Sequence, residues 1–171
     1  MKIKTSILGS TGSIGSTTLS IIDKKPNIFS INLLSAKKNM RLIVKQIKKY
    51  KPKIFIITDQ QVYLKIKKKF KKSKTKIFNK FQKKNLLATD LTISSIPGIE
   101  GLEPTLLMTP KSKKILIANK ESIICGWSLI KDSAKKNNTK IIPIDSEHFS
   151  IFKLLENHSI KEIKKVFLTA S

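Results

Sequence analysis

The chain has 171 residues, enough for one well-buried domain with a small appendage. Its hydrophobic fraction is 40%, ordinary for a globular protein, and no stretch approaches the roughly 20 apolar residues that span a bilayer. The net charge of +24 raises nucleic acid or a membrane surface as partner, but Arg41 is the only arginine and the lysines are dispersed, which argues against base reading.

The N-terminus, Met1-Lys2-Ile3-Lys4, enters a strand pattern at once and carries no signal-peptide core, so a cytoplasmic location is expected. Ile3–Leu8 reads as a buried strand that ends in a glycine loop. Ser16–Asp23 reads as a helix stopped by Lys24-Lys25-Pro26, and Phe29–Leu34 as a second strand. Met40–Tyr50 places Met40, Ile43, Val44 and Ile47 at the spacing of one apolar helix face. Lys53–Thr58 is a third strand and Val62–Lys72 a very basic helix. Thr75–Phe78 is expected as a short strand, Phe81–Ala88 as a short helix, and Leu91–Ile96 as another strand. A helix over Leu102–Met108 precedes a strand over Lys114–Ala118. A helix over Cys125–Lys136 precedes the last strand, Lys140–Ile144, and Cys125 and Trp127 are expected in the core. Cys125 is the only cysteine, so the chain makes no internal disulfide.

Strands alternating with helices in this way predict an α/β fold, a doubly wound, mostly parallel sheet covered on both faces. Such sheets bind ligands beyond the carboxyl ends of their strands. The glycine loop, Ser35–Asn39, Ser94–Pro97, Asn119–Glu121 and Asp145–Glu147 all fall at such ends.

Gly9-x-x-Gly12-x-x-Gly15 follows a strand and opens a helix. Glycines let a phosphate approach the backbone, and a helix N-terminus offers free N–H donors, so dinucleotide binding is expected there. The alternative is a purely structural turn. After the second strand, Lys37 and Lys38 stand where an acidic residue would bind a ribose 2′-hydroxyl, which favours NADP over NAD. The alternative is a basic loop in a lysine-rich chain. Asn119-Lys120-Glu121-Ser122 offers groups for ribose, nicotinamide or phosphate, or equally a helix cap from Asn119 or Ser122. Asp145-x-Glu147 supplies hard oxygen ligands suited to Mg²⁺ or Mn²⁺, which need a further ligand to complete a site. The alternative is a helix N-terminus that attracts acidic residues. His148 is a candidate base or a structural histidine, and His158 is expected at the surface.

GSTGSIG, ANKES and IDSEH, in this order and spacing, resemble the 1-deoxy-D-xylulose 5-phosphate reductoisomerases over essentially the whole chain. Supporting segments are Gly101–Leu106, Lys38-Asn39 and Leu168–Ser171. The resemblance implies a Rossmann-like NADPH-binding domain over 1–142 and the truncated start of an α+β catalytic, metal-binding domain over 143–171. It implies isomerisation and NADPH-dependent reduction of 1-deoxy-D-xylulose 5-phosphate to 2-C-methyl-D-erythritol 4-phosphate, in isoprenoid precursor synthesis. By position, Thr11, Gly12, Ser13, Ile14, Lys37, Lys38, Asn39, Asn119 and Glu121 would bind NADPH. Lys120 and Glu147 would be catalytic; Lys120, Ser146, Glu147 and Ser171 would contact a small phosphorylated sugar; Asp145 and Glu147 would hold Mg²⁺ or Mn²⁺.

Lys37 departs from the family's usual glycine, and Pro97 and Glu100 replace small or apolar residues. The family's pattern continues well beyond Ser171, with a third carboxylate ligand, a lid, most of the dimer contacts and a helical domain. The chain is therefore expected to be an N-terminal fragment with little turnover of its own. The competing readings are an NADPH-binding remnant without catalysis and, behind it, a basic nucleic-acid-binding module. No specific nucleic acid and no membrane partner is expected.

Overall fold

The computed structural model describes residues 1–167. Seven strands form one sheet: β1 (Ile3–Leu8), β2 (Phe29–Ala36), β3 (Ile54–Ile57), β4 (Lys76–Phe78), β5 (Thr89–Ser94), β6 (Ser112–Ile117) and β7 (Lys140–Pro143). Their spatial order is β4-β3-β2-β1-β5-β6-β7, and every neighbouring pair is parallel. The chain winds outward from β1 to β4, returns past β1 to β5, and winds outward again. The reversal lies between β1 and β5, where a doubly wound sheet opens its ligand crevice.

The helices are α1 (Ser13–Asp23), α2 (Met40–Tyr50), α3 (Gln60–Lys69), α4 (Leu102–Met108), α5 (Lys120–Asn137) and α6 (Ser146–Leu155). Adjacent strand residues point to opposite faces, and the cores divide accordingly. Ile7, Leu34, Phe55 and Ile57 meet Leu19 and Ile22 of α1, Ile43 and Ile47 of α2, and Ile66 of α3. Leu8, Leu33, Ile54 and Ile56 face the other way, toward Met108 of α4. Ile115 and Ile117 pack with Ile130 of α5. These near-continuous apolar runs are what a sheet covered on both faces requires.

Three expectations need correction. Phe81–Ala88 is not a helix; it holds only a 3-10 turn at Lys83–Asn85. The segment must carry the chain from β4 past β3, β2 and β1 to β5, four steps in the sheet. At about 4.8 Å per step the journey is about 19 Å. The ten residues between Phe78 and Thr89 would cover only about 15 Å as a helix, so the connection stays extended. Cys125 and Trp127 are not in the core: Cys125 is exposed and Trp127 is 44% accessible. The buried stripe of α5 is Ser122, Gly126, Ile130 and Ala134, every fourth residue, and Cys125 and Trp127 flank it. Both α1 and α5 also begin earlier than their apolar periodicity suggests, α5 because Asn119 caps it.

Among the described residues no helix is long and apolar enough to cross a membrane.

Candidate functional site

Parallel pairing sets the ends of β2, β1 and β5 side by side. The loop after β1 therefore lies between the loops after β2 and β5. Gly9 has φ of 82°, and a Cβ there would stand 2.8 Å from the Ser95 carbonyl oxygen. A Cβ on Gly15 would stand 2.3 Å from the Gly9 carbonyl oxygen, so the first turn of α1 packs directly on the loop. Gly12 differs: the nearest atom to its Cβ would be 3.4 Å away. It borders the cleft rather than the core.

The loop is stitched to its neighbour. The Gly9 amide donates to the Ser35 hydroxyl at 3.0 Å, and the Ser10 amide to the Ser35 carbonyl at 2.7 Å. The buried Ser10 hydroxyl lies 2.6 Å from Gln46 Oε1, and Gln46 Nε2 donates to the Ser10 carbonyl at 2.8 Å. Gln46 is a polar residue on the buried stripe of α2, between Ile43 and Ile47, and that misfit was its one signal in the sequence.

Asn39, Asp59, Asn119 and Asp145 cap α2, α3, α5 and α6 with side-chain oxygens. At α1 the capping position is Gly12, and no side chain caps the first turn. Its N–H groups and the positive end of its dipole face the loop, an arrangement that receives phosphate oxygens.

Above the loop lies a cleft of about 840 Å³. Gly9, Thr11 and Gly12 line it from β1, Ala36 and Lys37 from β2, Thr58 and Gln60 from β3, and Ser95, Pro97 and Glu100 from the β5 side. Asn79, Lys80 and Phe81 extend it beyond β4; they carried no signal in the sequence because only the strand order brings them here. Ser13 and Ile14 start α1 beside the loop, exposed, but are not in the cleft lining. Lys38 and Asn39 are likewise exposed and outside that lining, and Asn39 accepts the Leu42 amide at 3.2 Å. Lys37 Nζ contacts both carboxylate oxygens of Glu100, at 2.9 and 3.0 Å.

A second group forms where β6 meets β7. Their register pairs Ile117 with Pro143, so Asn119-Lys120 and Asp145-Ser146-Glu147 leave the sheet together. Asn119 is buried and well occupied: Oδ1 accepts the Ser122 amide at 2.8 Å, and Nδ2 donates to the carbonyls of Gly98 and Ile96. It thereby ties the β5 loop of the cleft to the start of α5. Glu121 is exposed on the first turn of α5. Lys120 Nζ lies 3.9 Å from Glu147 Oε1.

Asp145 Oδ1 accepts the His148 amide at 3.1 Å and the His148 Nδ1–H at 2.6 Å. A carboxylate only accepts, so the proton sits on Nδ1. Burial pushes the Asp145 carboxyl up, but the His148 bonds outweigh it and the group lies below its ordinary range. Glu147 is held below its ordinary range by its own amide, the Ser146 hydroxyl at 2.9 Å and Lys120. Asp145 Oδ2 is buried and has no hydrogen-bond partner among the described residues. An ionised oxygen with unspent lone pairs fits a hard cation. Among the described residues no group of three or more His, Cys, Asp or Glu is placed to hold a metal. Ser171 lies outside the described residues. His158 is exposed, as expected, with Glu162 at 3.8 Å.

A parallel sheet reversing at a glycine loop, with an uncapped helix behind it, defines a Rossmann-like nucleotide-binding fold. The profile of the 1-deoxy-D-xylulose 5-phosphate reductoisomerase family matches residues 5–126, and that of the family's C-terminal domain matches residues 141–171. The chain belongs to this family. It is 44% identical to the reductoisomerase of Pelagibacter ubique (strain HTCC1062) over 98% of its length. It superposes on the Zymomonas mobilis reductoisomerase solved with NADPH with a TM-score of 0.77 and 28% identity, over 86% of this chain and 40% of the other. A reductoisomerase solved with NADPH, fosmidomycin and magnesium gives a TM-score of 0.82 and 31% identity, over 90% of this chain and 38% of the other. The chain spans about half the length of the curated relatives it matches, 45% for the Pelagibacter protein.

Proposed function

We propose that this chain carries the NADPH site and the first metal ligands of a 1-deoxy-D-xylulose 5-phosphate reductoisomerase. The observation that carries the reading is the register of β5, β6 and β7. It puts the cleft over the glycine loop, and the Lys120–Glu147–Asp145 group, at the same carboxyl edge of one sheet.

Thr11, Gly12, Ser13 and Ile14 would present the loop and the uncapped turn of α1 to the pyrophosphate of NADPH. Lys37, Lys38 and Asn39 flank the end meant for the ribose 2′-phosphate. Asn119 would act by holding the β5 loop, and Glu121 from the adjoining turn. Lys120 and Ser146 would orient a small phosphorylated sugar. Asp145 and Glu147 would hold Mg²⁺ or Mn²⁺. The metal, when bound, would draw charge from neighbouring substrate oxygens as the carbon skeleton rearranges and hydride arrives. Substrate oxygens or a further segment complete its shell. Residues 1–142 would form the cofactor domain and 143–171 the start of the catalytic domain. A cytoplasmic location and no specific nucleic-acid partner belong to the same proposal.

Titration of the 171-residue chain with NADPH, followed by nicotinamide fluorescence, is the direct test. Saturable binding that Gly12→Asp abolishes is expected, because a carboxylate would stand where the phosphates do. Lack of binding by the folded chain would sink the reading. A second reading, NADPH binding without turnover, draws on the carboxylate pair that lacks a third partner among the described residues. Metal-dependent oxidation of NADPH with 1-deoxy-D-xylulose 5-phosphate by this chain alone would decide against it.

A further inference from the structure

Lys37 follows β2 and Glu100 follows β5, and β1 lies between those strands. An ion pair joining the two must therefore pass over the end of β1, where the glycine loop sits. Both side chains line the cleft, and the pair is two-pronged at 2.9 and 3.0 Å. Each side chain is more than 60% accessible, so the pair stands at the mouth of the cleft and not in its floor. The pair joins positions 63 residues apart. An ion pair this exposed contributes little to stability.

We propose that Glu100 is a specificity-determining residue: it holds Lys37 as a strap across the cofactor cleft and competes with the ligand's 2′-phosphate for that ammonium. This rests on the reading of the cleft as an NADPH site. A lysine ammonium is a flexible point charge that exchanges partners readily. An exposed carboxylate partner holds it weakly, while a phosphate dianion offers more charge and more acceptor oxygens. Binding of the 2′-phosphorylated cofactor then transfers Lys37 from Glu100 to the phosphate. The Lys37–Glu100 pair has to be given up in that transfer, so the discrimination that Lys37 provides is partly cancelled. A cofactor lacking the phosphate also has to pass the strap but gains nothing from the transfer. The preference for NADPH over NADH isolates the effect.

The test measures dissociation constants of NADPH and NADH for the 171-residue chain, Glu100→Gln, Lys37→Met and the double variant. Thermal melts establish that each is folded. In Glu100→Gln the ratio of NADH to NADPH dissociation constants is expected to rise by about threefold or more, the order of one exposed charge contact. In Lys37→Met it falls by a similar factor. The double variant matches Lys37→Met, because Glu100 acts through Lys37. An unchanged or lower ratio in Glu100→Gln overturns the inference. So does an equal rise in the Lys37→Met background, which would make Glu100 a plain repulsive charge. If the folded unsubstituted chain binds no NADPH, the reading of the cleft itself fails and takes the strap with it.

Discussion

Gly12 and Gly15 look alike in the sequence but differ in what a methyl group would meet. At Gly15 the methyl would fall 2.3 Å from the Gly9 carbonyl oxygen, and backbone on both sides prevents relief. Gly15→Ala is expected to lose about 1–3 kcal/mol of stability in urea unfolding. At Gly12 the nearest contact would be 3.4 Å, and φ is −77°, a value any residue adopts. Gly12→Ala should keep the fold within about 1 kcal/mol while weakening NADPH binding, since its methyl would point where phosphate approaches. Equal destabilisation by the two substitutions would show that Gly12 serves packing instead. The sequence made all three glycines visible as a motif. It did not divide them into packing and ligand roles, because that division depends on Ser95 and on the angle at which α1 leaves the loop.

Strand pairing is reinforced at Asp90, on β5. Its carboxylate accepts the Lys4 amide from β1 at 2.9 Å and meets Lys113 Nζ from β6 at 2.8 Å. The Lys113 bond first, then the Lys4 amide, hold its pKa below the ordinary value. A depressed carboxyl adds stability that is present above the unfolded-state pKa, about 3.9, and is lost as pH falls through the lower native value. Asp90→Asn should therefore melt earlier than the parent at neutral pH, and its stability should fall less steeply below about pH 4. Parallel acid profiles would rule Asp90 out as a contributor. Two helices were legible to the residue: Met40–Tyr50 and Leu102–Met108 have the bounds expected from the sequence. The segment after β4 was not legible, because its extended course is fixed by a distance across the sheet and not by its own composition.

The molecule carries a net charge of +24, and its ion pairs among the described residues are at least partly exposed. Exposed pairs contribute little each, about 0–1 kcal/mol. Repulsion among the dispersed lysines should dominate, and salt screens it. Raising sodium chloride from about 0.05 to about 0.5 M is expected to raise Tm by about 3 °C or more. A fall in Tm would mean that the ion pairs outweigh the repulsion. NADPH at about 100 times its Kd should add about 2.7 kcal/mol, and at a fixed concentration its effect should shrink with salt because an anionic cofactor meets a molecule of net charge +24.

The sequence by itself determined the alternation of strands and helices, the parallel sheet, the glycine loop and the two carboxylates of the ligand motif. These rest on local rules of periodicity, breakers and capping, which act over a few residues. Only the tertiary structure decided that Asn119 spends its side chain on the β5 loop, that Ser10, Ser35 and Gln46 fix the glycine loop, and that Lys37 faces Glu100. Those are contacts between positions 21 to 63 residues apart, created by strand order and register. No local pattern encodes them, because each depends on which strand ends the sheet sets side by side.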